Sequence, residues 1–185
     1  TLEINDFCHN MIIENNAIPA PLNYKGFPKS ICTSVNHVVC HGIPSQHKFL
    51  QEGDIVNIDV TVILDGWYGD SSRMFVAGEI NKKIFSLIKT TYECLLIGIK
   101  HALPGKNLGD IGYEIQKHAE EKNYSVVKDF CGLGIGRSFH TAPSILHYGN
   151  LGEGPKLKPG MFFTIEPMIN IGDWRTKILN DGWTA

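Results

Sequence analysis

From Asp54 to Ala77 hydrophobic and polar residues alternate with a period of two, whereas three other stretches return to apolar residues every third or fourth position. In DIVNIDVTVILDGWYGDSSRMFVA, Val56, Ile58, Val60, Val62 and Leu64 fall on one side of an extended chain. Asn57, Asp59 and Thr61 fall on the other. Asp65-Gly66 favours a two-residue type I′ turn, so the stretch predicts two strands joined as a hairpin. With Leu64 opposite Trp67, Thr61 faces Asp70 and Asp59 faces Ser72. Asp59 and Asp70 then become diagonal neighbours on one face. A bulge at Gly69 would shift this register.

The period near 3.6 predicts helices over residues 1–16, 82–102 and 108–122. Leu2, Ile4, Phe7, Met11 and Ile12 mark the first, and Ile84, Leu87, Ile88, Leu95 and Ile99 the second, with Pro104-Gly105 as its stop. Pro19, Pro21, Gly26 and Pro28 predict a loop over 17–30. Strands are expected at Ile31–Cys40, Ser125–Cys131 and Met161–Ile165. A glycine-rich turn and a looped region should fill the space from Gly132 to Gly160, and Thr176–Ala185 reads as the start of another hairpin.

An internal echo runs through this order. Leu2, Phe7 and Glu14 correspond to Leu108, Tyr113 and Glu120 at one constant offset. A strand ending in a carboxylate and followed by Asp-Gly-Trp occurs twice, at Asp59 with Asp65-Gly66-Trp67 and at Glu166 with Asp181-Gly182-Trp183. Read as a duplication, the first copy supplies a second acid, Asp70, after its turn, while the second copy stops before any counterpart. Both ends are expected to be cut.

Composition narrows the function classes. A chain of 185 residues with 43% hydrophobic content is expected to form a single globular domain with a sizeable core. The net charge of −2 gives no footprint for nucleic acid, and no apolar run reaches membrane-spanning length. The five cysteines (Cys8, Cys32, Cys40, Cys94 and Cys131) are scattered and contain no CxxC pair. Free thiols in a reducing cytoplasm are the expectation.

Residues with ligating chemistry are Asp59, Asp70 and Glu166, together with some of His37, His41, His140 and His147. Two converging carboxylates repel unless a cation or a proton lies between them. Carboxylates with one or two imidazoles suit Mn, Fe(II), Co or Zn used hydrolytically. The residues by themselves also allow acids that simply face water, and His37 and His147 read as surface or core histidines. Cys131-Gly132-Leu133-Gly134-Ile135-Gly136 is rich enough in glycine for a phosphate loop, but no amphipathic helix follows it. There is no GxSxG elbow.

YKGFPKSICTSVNHVVCHGIP, GDIVNIDVTVILDGWYGDSSRMF, CGLGIGRSFHTAPSILHYG and KPGMFFTIEPMIN with DGW resemble, in this order and over essentially the whole chain, the type I methionine aminopeptidases. The resemblance implies the α/β pita-bread fold of creatinases and aminopeptidases, with two related halves, here incomplete at both ends. It also implies two divalent metal ions (Co, Mn, Fe or Zn) and removal of the initiator methionine from nascent peptides leaving the ribosome. By the same resemblance Asp59, Asp70 and Glu166 match metal ligands. His41 and His140 match substrate-contacting histidines, His140 also serving the tetrahedral intermediate. Phe27, Cys32, Phe139 and Trp183 match the lining of the methionine side-chain pocket, whose rings and thiol suit a polarizable thioether.

Two departures stand out. The family's glycine-rich stretch reads CGHGIG, with its histidine on a metal; this chain has Leu133 there. The family's last ligating glutamate lies beyond the DGW stretch, past Ala185. Two hypotheses follow: an aminopeptidase of this family whose turnover is impaired here, or a catalytically inactive or decayed member that keeps the fold without two metal ligands. A monomer with no membrane partner is expected in either case.

Overall fold

The computed structural model describes residues 1–185, which divide into two compact units: 1–81 with 177–185, and 82–176. The first unit is organised by the predicted hairpin. Strands β1 (Ile18–Pro19), β2 (Cys32–Val35) and β4 (Trp67–Val76) all pair antiparallel with β3 (Ile55–Leu64). The β3–β4 register is the expected one, with Leu64 opposite Trp67, Thr61 opposite Asp70 and Asp59 opposite Ser72. Gly69 pairs regularly with Val62, so no bulge interrupts the ladder. Asp65 and Gly66 take the left-handed φ values of 51° and 77° that a type I′ turn demands.

Helix α1 (Leu2–Glu14) precedes this sheet. Its buried Asn5 accepts the Ser30 N–H at 2.9 Å and so ties the helix to the start of β2. Ile12, Phe27, Ile31, Val35, Ile55 and Val56 are among the buried apolar residues of the unit. Two expectations need correction. The loop over 17–30 contains β1 and a 3-10 turn at Tyr24–Gly26. The strand expected at Ile31–Cys40 spans only Cys32–Val35, because Asn36 turns left-handed (φ 54°) and its side chain bonds Ile55 N–H and the Asp54 carboxylate instead of extending the ladder.

The second unit packs helices α2 (Lys82–His101) and α3 (Leu108–Glu121), close to the predicted spans. A capping box starts α3: Asp110 accepts the Asn107 N–H at 2.9 Å while the Asn107 side chain takes the N3 amide. The core is one cluster in which Cys94, Ile111, Ile115, Ala119 and Ile145 are fully buried, joined by Leu108, Val126, Leu157 and Ile169. Its strands are short: β5 (Ser125–Val126) pairs with β8 (Ile169–Asn170), and β6 (Gly132–Gly134) with β7 (Thr141–Ile145).

Here the sequence expectations fare less well. The strand expected at Ser125–Cys131 ends at Val126. The glycine-rich turn is itself a strand, and β7 lies inside the region expected to be loop. Met161–Ile165 runs beside β6 through Thr164 N–H to Leu133 C=O (2.9 Å) and Ile135 N–H to Phe162 C=O (3.1 Å), but it forms only an isolated bridge at Phe163. Residues 179–184 of the first unit close a turn rather than a hairpin, with Leu179 N–H on Thr184 C=O at 2.8 Å and the Asp181 carboxylate capping Trp183 and Thr184. The echo is visible in the backbone. Each unit has a helix, a left-handed asparagine (Asn16 at 57°, Asn123 at 62°) and then a two-residue strand.

Candidate metal and substrate site

In the first unit the alternation of β3 puts Asp59 and Thr61 on one face, and the turn brings Asp70 directly opposite Thr61. The Thr61 hydroxyl, on a residue 4% exposed, donates to Asp70 Oδ1 at 2.9 Å. Cys32 lies opposite Asp59 on β2. Burial drives its thiol well above the ordinary range, and the negative charges of Asp59 and Asp70 push it further the same way. Cys32 is therefore a neutral, buried thiol rather than a nucleophile.

An aromatic group stands in the same unit. Trp183 meets the edge of Phe27 with centroids 5.2 Å apart at 80°, and His41 at 6.2 Å and 84°. The segment carrying Trp183 is fastened to the loop before His41 by Val39 N–H to Ala185 C=O (2.8 Å) and Ala185 N–H to Cys40 C=O (3.2 Å). Gly42 is required at its position, since a β-carbon there would overlap the Thr33 carbonyl oxygen.

In the second unit Glu166 sits on irregular backbone and is fixed by side chains. Thr164 Oγ1 donates to Glu166 Oε1 at 2.5 Å and accepts the Leu133 N–H at 3.0 Å. The Glu166 N–H donates to His147 Nε2 at 3.0 Å. His147 is fully buried, its Nδ1 has no hydrogen-bond partner, and burial pushes its pKa down to about 4. It stays neutral at physiological pH. The Phe139 and His140 rings lie with centroids 3.8 Å apart, and His140, like His41, has a left-handed backbone (φ 58° and 55°).

The structure thus brings Asp59, Asp70 and Cys32 together in one unit, and Phe27, His41 and Trp183 together in the same unit. In the other it joins Glu166 to Thr164, Leu133 and His147. The acids are hard oxygen donors that fit a divalent ion. Leu133 offers no donor, and no three His, Cys, Asp or Glu side chains are grouped so as to hold a metal. Sequence reasoning missed Thr61, Thr164 and the bonding of His147. For Thr61 the signal was present, since the register already set it opposite Asp70. None of the five cysteines is in a disulfide, and no helix is long and apolar enough to cross a membrane.

Metallopeptidase family M24 matches residues 1–183. The chain is similar to the methionine aminopeptidase of Rickettsia prowazekii, with 63% identity over 186 residues covering 100% of this chain and 71% of that one. The crystal structure of that aminopeptidase superposes with a TM-score of 0.97, covering 98% of this chain and 73% of the other. A prolidase from Pyrococcus furiosus, 26% identical, matches 77% of this chain and 42% of its own with a TM-score of 0.65. The mixed α/β architecture is accordingly the pita-bread fold.

Proposed function

Because the chain belongs to metallopeptidase family M24, we propose that it removes N-terminal methionine from peptides by metal-assisted hydrolysis, with turnover impaired by Leu133. The register of β3 and β4 carries the first half of this reading: it sets Asp59 and Asp70 on one face beside Cys32, as a carboxylate pair for a divalent ion requires. Asp59, Asp70 and Glu166 are the residues that would hold metal. A bound ion of this kind lowers the pKa of water from about 15.7 toward neutrality and polarises a carbonyl.

The remaining roles belong to the chain's own side chains. Phe27, Trp183 and Phe139 give ring edges, and neutral Cys32 a soft wall, for a methionine thioether. His41 and His140 offer imidazoles to the peptide backbone. The reading takes residues 1–185 as one metallopeptidase domain, monomeric, in the cytoplasm, acting on nascent peptide N-termini close to the ribosome.

Leu133 supports a second reading, a member of the family that no longer turns over. Its isobutyl side chain stands where the resemblance to the family's CGHGIG stretch implies an imidazole, and its backbone N–H is already committed to Thr164. Hydrolysis of a Met-Gly peptide with added Mn or Co, run beside metal content by mass spectrometry, separates the two. Leu133→His is expected to raise both metal content and kcat/KM by at least about ten-fold, the scale on which metal-site groups act. Equal turnover in both chains would remove the impairment. Metal uptake without turnover in either would remove the peptidase reading.

A further inference from the structure

Each unit contains the same small device. A threonine hydroxyl donates to one oxygen of an acid: Thr61 to Asp70 in the first unit, Thr164 to Glu166 in the second. The local frameworks differ. Thr61 and Asp70 are cross-strand partners in a regular ladder, whereas Thr164 precedes Glu166 by two residues on irregular chain. That the same contact arises from two unlike backbones makes it independent of either.

We propose that Thr61 and Thr164 are positioning residues, one per unit, that fix the rotation of the Asp70 and Glu166 carboxylates for ligation. This rests on the metal reading given under Proposed function. A carboxylate accepts in several directions and its terminal torsion is broad, so an unrestrained acid presents no single donor. Threonine is suited to restrain it, because its β-branch limits χ1 and the hydroxyl proton can be committed. In Thr164 the commitment is complete: the oxygen takes the Leu133 amide, which leaves the proton to Glu166. The hold on Glu166 therefore runs through the backbone of residue 133 and is indifferent to the side chain there. A leucine at 133 removes a donor without releasing the acid.

The test begins without metal. In uniformly carbon-13 labelled protein, the Asp70 Cγ and Glu166 Cδ resonances are assigned by their loss in Asp70→Asn and Glu166→Gln. Thr61→Val is expected to move only the Asp70 signal and Thr164→Val only the Glu166 signal, while Thr61→Ser and Thr164→Ser leave both in place. Mn2+ affinity, read from the electron paramagnetic resonance of free Mn2+ in both the Leu133 and Leu133→His backgrounds, should fall about 10–100-fold in each valine variant and stay within about three-fold in each serine variant. A resonance that stays put in its valine variant overturns the proposal, as does unchanged Mn2+ affinity where the resonance has moved. If neither background takes Mn2+, it is the metal reading that fails, and the carboxyl resonances alone decide whether the threonines orient the acids.

Discussion

The two units reach similar chemistry by different means. In the first, the acids ride on a ten-residue antiparallel ladder, and regular pairing sets them side by side. In the second, pairings of two to five residues carry no such regularity, and Glu166 is held by a buried imidazole at its amide and a hydroxyl at its carboxylate. A site built on a ladder inherits its precision from the backbone. One built on short strands must obtain it from side chains and from a tight helical core, and so should fail sooner when those are disturbed.

The largest expected effect breaks the second unit through its core. Ile111 of α3 is fully buried in the core cluster, and Ile111→Ala should cost roughly 2–5 kcal/mol. Guanidinium unfolding of the two chains measures this; a loss below about 1 kcal/mol would mean that the site collapses around the smaller side chain.

Next in size is a pH dependence confined to the second unit. Burial lowers the His147 pKa to about 4 in the folded chain, against about 6.5 for an ordinary imidazole. Between these values the unfolded chain binds a proton that the folded chain does not, so stability rises with pH through that window and is level above it. The contribution present at neutral pH is on the order of 3 kcal/mol and is lost as pH falls toward 4. Unfolding free energies taken from pH 4 to 7 should show this slope, and His147→Gln should flatten it. A slope that persists in the variant would assign it to other groups.

The smallest expected effect concerns the entry to α3. Asp110 accepts the Asn107 and Gly152 amides at 2.9 and 2.7 Å, which is also why its carboxyl lies below the usual range. Asp110→Ala should cost about 1 kcal/mol, the usual worth of a cap. Since the Gly152 bond also anchors the 150–154 loop, amide exchange there should speed up more than in the β3–β4 ladder. Equal acceleration in both would dissolve the contrast between the units.

The same contrast explains what the sequence made legible. Period-two alternation and Asp65-Gly66 determine the β3–β4 register because every residue of the ladder repeats the message, and Gly69 fits it without a bulge. Helices α2 and α3 were equally readable from their apolar stripes. Strand β5 is drawn too long, and β6 and β7 are read as turn and loop, because strands of two to five residues contain too little period to detect. Lys128 and Asp129 do not continue β5; Asp129 turns its carboxylate to the Thr176 amide and hydroxyl instead. Asp59, Asp70 and Glu166 are visible as acids, but the bonds of Thr61 to Asp70 and of Thr164 to Glu166 depend on side-chain contacts that no local pattern announces. His147 reads as a surface or core histidine, not as the acceptor for the amide of Glu166.

His41 and His140 both carry left-handed backbones. For a residue with a β-carbon that conformation costs on the order of 1 kcal/mol, and glycine would relieve it. Of the eight histidines the chain bears this strain at these two, and it follows one of them with a glycine, Gly42, that admits no substituent. Thermostabilisation by relaxing these turns would trade directly against the imidazoles. A library selected for folding alone should therefore drift toward glycine at 41 and 140, and its departure from histidine there would register how much folding stability these two left-handed positions forgo.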